Sequence, residues 1–358
     1  MNPKETATKL LHWYDENKRI LPWRQNRTAY TTWISETMLQ QTRVTTVIPY
    51  YHRFLEAFPD IESLAASPLD TLYKIWEGLG YYSRAKNLRN GANYCLLHHN
   101  GQLPDTLLEL LTVPGIGPYT AGAIASMAYG LAVPAIDGNV MRVFSRYLGL
   151  AITTQDVGGR KQIGSLLQHI LPTDRPGDFN EAIMDLGSGV CTPKNPKCGR
   201  CPLSDTCNAF AFSMQNTLPL KRAKKEIPHK PYTILIFEQN GQVLLRQRPA
   251  TGLLANLYEF ASHPTLIYIE KLRGFLSDSL GLRDSDIERI DNLGPSIHVF
   301  SHLQWDMQGY RIILKENAQL ASSSSLIDLS GTQLVTIEEA RKLAFPSAIR
   351  AYTAEINR

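Results

Sequence analysis

The turn Val113-Pro114-Gly115-Ile116-Gly117 constrains this chain more than any other stretch. It lies between two apolar segments of helical period. Both glycines stand where a tight hairpin between helices needs positive φ or close backbone approach. Pro118 suits a first helical position, because its missing amide hydrogen had no partner there. Such a helix start aims free backbone N–H groups outward, and a phosphate is the anion they suit. About twenty residues on, Asp137 follows an apolar run and precedes Gly138. Taken alone, the turn fits a helical core in which Asp137 is only an N-cap. The full string, with the aspartate at that distance, favours a hairpin that grips a strand beside a carboxylate.

Five cysteines are present, and Cys191, Cys198, Cys201 and Cys207 fall within 17 residues as C-x6-C-x2-C-x5-C. A secreted disulfide framework is not distributed this way, so the four thiolates point to a metal. Zinc suits a four-thiolate site, and so does an iron–sulfur cluster. Cys95 is left over and reads as a small buried hydrophobe. Lys194, Lys197 and Arg200 sit in and beside the cysteine loop; they read either as phosphate contacts or as solvated charge.

The length of 358 residues allows two domains. The helical period dominates residues 1–215. Helices are expected over 3–17, 29–39, 43–58, 61–66, 69–77, 83–100 and 105–111, each ended by Pro, Gly or Asp punctuation. Leu21-Pro22-Trp23-Arg24 reads as an extended link. Residues 216–231 form a linker with prolines and the basic run Lys221–Lys225. The net charge of +4 divides as +2 over 1–220, +3 over 221–226 and −1 over 227–358. The basic excess is therefore concentrated at the junction, which permits a nucleic-acid partner without demanding one. After the linker the period becomes two. Tyr232–Phe237 and Val243–Arg248 are expected strands joined by Asn240-Gly241, a type I′ hairpin signal. A helix over 267–281, a strand pair over 297–306 and 310–315, a polar loop at Ser322–Ser325 and a capping box at Thr336–Glu339 complete an α+β domain with a mixed sheet.

The hairpin with Asp137, the cysteine spacing, Ser35-Glu36-Thr-Met-Leu-Gln-Gln41-Thr42, Gly78-Leu79-Gly-Tyr81-Tyr-Ser-Arg-Ala85 and Leu21-Pro-Trp23-Arg24 resemble the endonuclease III superfamily of helix-hairpin-helix DNA glycosylases. Within it they resemble the adenine-specific MutY family across residues 8–210. The resemblance implies a 4Fe-4S cluster on Cys191, Cys198, Cys201 and Cys207. It implies a glycosylase domain over 1–215, with a six-helix lobe over about 25–136 and a cluster lobe joining 1–24 to 137–215. A Nudix-like domain would cover 232–358. DNA would lie between the two lobes, clamped by the C-terminal domain.

Removing a base passes through an oxocarbenium-like sugar, which needs a carboxylate beneath the sugar and an acid for the leaving base. Asp137 fits the first role. Glu36, in an apolar helix, fits the second, since desolvation raises its pKa towards that of a useful donor. Any single Glu is more often a paired surface residue, and it is the motif that lifts Glu36. The resemblance adds Tyr119 and Asn139 in support. It assigns Trp23, Arg24 and Glu181 to the adenine pocket, and Gln41, Thr42, Leu79, Tyr81, Val113, Gly115 and Gly117 to the duplex wedge and backbone grip. Bifunctional relatives carry lysine at position 119, which attacks the sugar and forms a Schiff base. Tyr119 cannot form an imine, so hydrolysis without an efficient lyase step is expected.

The C-terminal part lacks the Arg-Glu-x-x-Glu-Glu cluster of a Nudix pyrophosphatase. Ile269–Leu276 occupies roughly that helix with one Glu, so the fold would serve recognition. Phe300-Ser301-His302 matches the family's loop for 8-oxoguanine, and Ser301 can both donate and accept a hydrogen bond. Asn256 and Tyr258 stand where the family often has Gly and Trp. The expectation is a monofunctional adenine DNA glycosylase acting on duplex DNA with adenine opposite 8-oxoguanine or guanine. It is expected to be a cytoplasmic monomer with no membrane partner. The alternatives are a glycosylase/lyase and a non-catalytic damage-binding protein; a Nudix hydrolase is disfavoured by the missing glutamates.

Overall fold

Helix-period segments with strong caps build the first part of the chain, and alternating strands build the second. The computed structural model describes residues 3–222, 226–320, 326–327, 329–354 and 356. Residues 223–225 of the basic run, and the polar loop Ser322–Ser325, lie outside the described residues. The chain divides into two units, Met1–Ser67 with Lys86–Lys224, and Pro68–Ala85 with Lys225–Arg358. Residues 68–85, which the sequence assigns to the helical core, thus group with the sheet.

The helical unit is set by local chemistry. Thr28 and Thr31 form a capping box for helix Ala29–Leu39, and Asp60 with Ser63 does the same for Ile61–Ala66. Asp156 caps Val157–Ile170 through the Gly159 amide, and Gly149, at φ 69°, ends Gly138–Leu148. The N-terminal helix Pro3–Asn17 puts Ala7 and Leu10 into one core with Val140, Phe144, Leu167, Phe179 and Ile183. That core therefore joins residues more than 130 positions apart in sequence to a set of later helices. One expectation is corrected: Pro22–Gln25 is a short helix, not an extended link. Proline restricts the residue before it, and Leu21 is indeed extended at φ −126°, ψ 141°. Pro22 itself is free to be the first helical residue.

The second unit is a mixed sheet. Its strands are β1 (His229–Gln239), β2 (Gln242–Gln247), β3 (Tyr258–Glu259), β4 (Ala261–His263), β5 (Ile287–Val299), β6 (Gln304–Leu314) and β7 (Thr332–Thr336). The order is β3-β2-β1-β6-β5, with β4 on β1 and β7 on β2; β1 and β6 run parallel. Asn240 and Gly241 both have positive φ, 51° and 72°, as a type I′ turn requires. β1 is buried on both faces. Ile234 and Ile236 face a core shared with Trp305, Phe345 and Tyr352; Leu235 and Phe237 face one shared with Leu272, Leu276 and Ile312. Helix Ile269–Leu280 belongs to the second face, and the capping box on Ile337–Lys342 forms as expected. The strand expected over 297–306 is strand at both ends and is broken by a turn at 300–303. β5 ends at Val299 and β6 starts at Gln304, and the Phe300 amide bonds the Leu303 carbonyl at 2.8 Å. The alternation of apolar residues runs through this turn without a glycine to mark it.

Candidate active site and cluster loop

Helix Ala29–Leu39 buries eight of its eleven residues, so it is a core helix with a carboxyl in its middle. Glu36 is 5 % exposed. Burial raises its pKa to about 7. The Glu181 and Asp137 charges push the same way, against a hydrogen bond from Tyr119 and the charge of Arg24. The Tyr119 hydroxyl donates to Glu36 Oε2. Tyr119 stands in the first turn of helix Pro118–Met127, so the glycine hairpin that starts this helix also aims the phenol. Gly115, at φ 86°, passes so close to Asn87 that an added Cβ would lie 2.7 Å from its Cβ.

Asp137 is the N-cap of helix Gly138–Leu148, accepting from the Val140 amide at 2.8 Å. It also lines the same cleft as Glu36, so the capping role and the site role coincide. Burial raises its pKa, opposed by hydrogen bonds from Val140 and Asn139. Asn139 Nδ2 bonds Asp137 Oδ2 at 2.6 Å, and Arg142 holds Asn139 Oδ1 at 2.7 Å. Arg142 continues to the carbonyls of Gly187 and Cys191 at 2.7 and 2.9 Å. One helical turn on, Arg146 donates to Cys191 Sγ at 3.2 Å and to the Thr192 and Leu218 carbonyls. A single helix thus carries the catalytic candidate at its start and the cysteine loop's anchors along its length.

The opposite wall is a lattice of buried charge. Arg24 reaches Glu181 at 3.1 Å and Asp185 at 2.9 Å; Arg27 reaches Glu181 at 2.7 Å; Arg19 also binds Asp185. Tyr14 donates to Glu181 Oε2 at 2.5 Å. Burial works against the Asp185 charge, but the two arginines hold its pKa below the ordinary value. Trp23 is buried next to Arg24 and meets Tyr51 edge-on.

Trp23, Arg24, Glu36, Gln41, Thr42, Tyr119, Asp137, Asn139 and Glu181 line one cleft of about 810 Å³. Sequence reasoning missed Arg19, Leu39, Gln40, Arg160, Met184 and Ser188, which line it too. Leu39 and Gln40 lie inside the Ser35–Thr42 string and were findable from it; Arg19, two residues past the end of the first helix, and the others carried no local signal. Val113 is buried beneath the hairpin, and Gly117 is the N-cap of its second helix. In the second unit Leu79 is buried, while Tyr81, at φ 47°, is half exposed. Phe300, Ser301 and His302 occupy the β5–β6 turn, with Ser301 and His302 exposed.

Cys191, Cys198, Cys201 and Cys207 all line a second cavity in the helical unit. Burial pushes the Cys201 thiol up to about 12 and raises Cys198 and Cys207 as well. Such a set becomes thiolate only when metal compensates the charge. Four thiols lining one cavity are a donor set that a thiolate-ligated iron–sulfur cluster fits.

These features define a class: a helix-hairpin-helix base-excision glycosylase with an iron–sulfur loop. Residues 34–162 match the HhH-GPD superfamily of base excision DNA repair proteins, residues 191–207 the iron–sulfur binding domain of endonuclease III, and residues 232–355 the NUDIX domain. A thermostable thymine-DNA glycosylase structure aligns with TM-score 0.55 and 27 % identity, covering 59 % of this chain and 97 % of that one. An endonuclease III–DNA complex aligns with TM-score 0.51 at 23 % identity, covering 60 % and 99 %, and shares the fold. The adenine DNA glycosylase of Rattus norvegicus is 34 % identical over 95 % of this chain and 76 % of its own length. That of Buchnera aphidicola (subsp. Baizongia pistaciae) is 34 % identical over 89 % of each. The chain belongs to the adenine DNA glycosylase family, and its cofactor is a 4Fe-4S cluster.

Proposed function

We propose that this protein hydrolyses the bond between adenine and deoxyribose in duplex DNA where adenine faces 8-oxoguanine or guanine. The observation that carries the reading is a pair of carboxyls in one cleft, with Glu36 raised to about 7. A carboxyl at that value retains a proton near neutral pH and can give it to the adenine N7. The C1′–N9 bond then breaks with its electrons going to the base. Asp137 stabilises the cationic sugar. The Glu36 carboxylate, now deprotonated, takes a proton from the water that adds to C1′, which restores the acid. Tyr119 orients Glu36 and supplies no amine, so the reaction ends at hydrolysis.

Trp23, Arg24 and Glu181 enclose the extruded adenine. Gln41 and Tyr81 enter the duplex, with Leu79 beside them, while Thr42 and the Val113–Gly117 hairpin hold the backbone. Phe300, Ser301 and His302 read the opposite base. Phe300 is held by ring contacts with His298 and Trp305 at 4.6 and 5.0 Å, which leaves Ser301 at the tip. Cys191, Cys198, Cys201 and Cys207 would ligate the cluster, which would hold this loop in shape and position DNA; breaking the glycosidic bond requires no redox step. The protein acts as a cytoplasmic monomer; no described helix is long and apolar enough to cross a membrane. A base-release assay tests the reading, with one adenine placed in turn against 8-oxoguanine, guanine, cytosine and thymine. Release should be fastest against 8-oxoguanine, then guanine. Equal release against all four, or strand cleavage trapped by borohydride, would defeat it.

A further inference from the structure

Residues 68–85 belong to the sheet unit, and they carry Tyr81. Two sets of contacts explain how this short segment is held. The first builds its tip. Trp76 Nε1 donates to the Gly80 carbonyl at 3.0 Å, and Arg84 donates to the Leu79 and Gly80 carbonyls at 3.0 and 3.1 Å. The Arg84 guanidinium lies over the rings of Trp76 and Tyr81, 5.3 and 5.6 Å from their centroids. Gly78, Gly80 and Tyr81 all have positive φ, so the turn is sharp and its shape depends on these donors.

The second set fastens the base of the segment. Glu77 Oε1 accepts from the Phe345 amide at 3.0 Å, and the Tyr82 hydroxyl donates to the Phe345 carbonyl at 3.2 Å. Both backbone groups of one residue are therefore taken by side chains that flank the Tyr81 turn. Lys74 pairs with Glu77 Oε2 at 2.8 Å and donates to the Leu343 carbonyl at 3.0 Å. Phe345 stacks on Phe260 at 5.5 Å and shares a buried core with Trp305. Trp305 in turn meets the Phe300 ring. Glu77 and Tyr82 are thus fastened through Phe345 to the same hydrophobic core that holds Trp305, whose ring backs the turn bearing Ser301.

The geometry points to Glu77 and Tyr82 as positioning residues that clasp Phe345, so that the Tyr81 wedge and the Ser301 reading turn move as one body. Engagement of the opposite base by Ser301 then sets the depth of the wedge, and the preference for 8-oxoguanine over guanine depends on the clasp as well as on the reader. A rigid brace carries this coupling without a second conformation of the loop. The inference rests on reading Tyr81 as the wedge and Ser301 as the reader.

The test uses the full-length, cluster-loaded protein under single-turnover conditions with saturating duplex. Glu77→Ala with Tyr82→Phe removes both clasp bonds. Glu77→Gln keeps an acceptor for the Phe345 amide. A 2-aminopurine beside the 8-oxoguanine reports unstacking by its fluorescence. The double variant should lose the 8-oxoguanine preference by about fivefold or more and unstack less, with excision opposite guanine within about twofold of the parent. Glu77→Gln should recover most of the preference. Unchanged preference and unstacking, or equal losses on both substrates, would overturn the clasp. Tyr82→Phe alone removes one oxygen atom, and the same readouts on it serve if the double variant does not fold. Ser301→Ala is the control: loss of preference there with none in the clasp variants sinks the clasp alone, and no loss there sinks the reading beneath it.

Discussion

The two units solve opposite problems. In the helical unit the candidate chemistry is dry: Glu36 and Glu181 are about 5 % exposed or less, and both lie within helices. In the sheet unit the candidate reading residues are wet: Ser301 and His302 stand at a hairpin turn, exposed to solvent. A proton donor must lose water to hold its proton at neutral pH, so it belongs on a rigid, buried element. A residue that inspects a base in a duplex must project, so it belongs on a turn held by its scaffold. The comparison predicts that substitutions in the first unit change the rate, and substitutions at the reading turn change the choice of substrate.

The largest effects should fall on the dry side. Asp137→Asn keeps a good N-cap, so the fold should survive while single-turnover excision falls on the order of 10³-fold. Normal excision by that variant would break the comparison at its centre. Glu36→Gln removes the proton donor and should cost about 10²- to 10³-fold. It also tests the cause of the raised pKa. In the folded protein Glu36 holds its proton to about pH 7, above the ordinary carboxyl value of 4.5. The folded state therefore binds more protons than the unfolded state between those values. Stability tied to Glu36 is full below pH 4.5 and is lost as pH rises through about 7. Activity should fall over the same upper range as the donor ionises. At pH 8, Glu36→Gln should be more stable than the parent by up to about 3 kcal/mol while being far less active. Denaturant unfolding at pH 5 and pH 8 measures this; a gain equal at both would show that burial is not what sets the proton.

How much of this was legible in the residues differs between the units for physical reasons. Helix limits in the first unit follow caps and punctuation, and Asp60–Ser63 and Asp156 mark helix starts that form. The short helix after Leu21 was missed because the rule for the residue before proline says nothing against proline as a helix start. Glu36 and Asp137 stood out by motif. The lattice around Glu181 did not, because it joins Tyr14, Arg19, Arg24 and Arg27 to Glu181 and Asp185 across about 160 positions, and no local pattern encodes such a meeting. In the second unit the Asn240-Gly241 turn declared itself through residue type, whereas Phe300–Leu303 contains no glycine and reads as continuing strand.

A smaller effect should separate choice from rate. Ser301→Ala removes one hydrogen-bonding group from the exposed tip. The preference for 8-oxoguanine over guanine should fall about threefold to tenfold. Excision of adenine opposite guanine should stay near the parent rate, because Glu36 keeps its burial and its bond from Tyr119. Equal losses on both duplexes would show that the turn supports the chemistry rather than selecting the substrate, and the contrast between the units would fail.

The smallest effect decides a question the residues leave open. Lys194, Lys197 and Arg200 are exposed around the cysteine loop, and an exposed cation is more often solvated than engaged. If Lys197 neutralises a phosphate, Lys197→Ala should weaken binding a few-fold on every duplex alike, whatever the base opposite adenine. The slope of log affinity against log salt should become shallower by about one unit. Cluster absorbance and single-turnover excision at saturating DNA should not change, since Lys197 lines neither the catalytic cleft nor the cysteine cavity. An unchanged salt slope makes this lysine ordinary solvated charge and leaves the backbone grip to Thr42 and the hairpin. A changed slope makes the cluster loop a second grip on the backbone, adding a charged, exposed function to the otherwise dry unit.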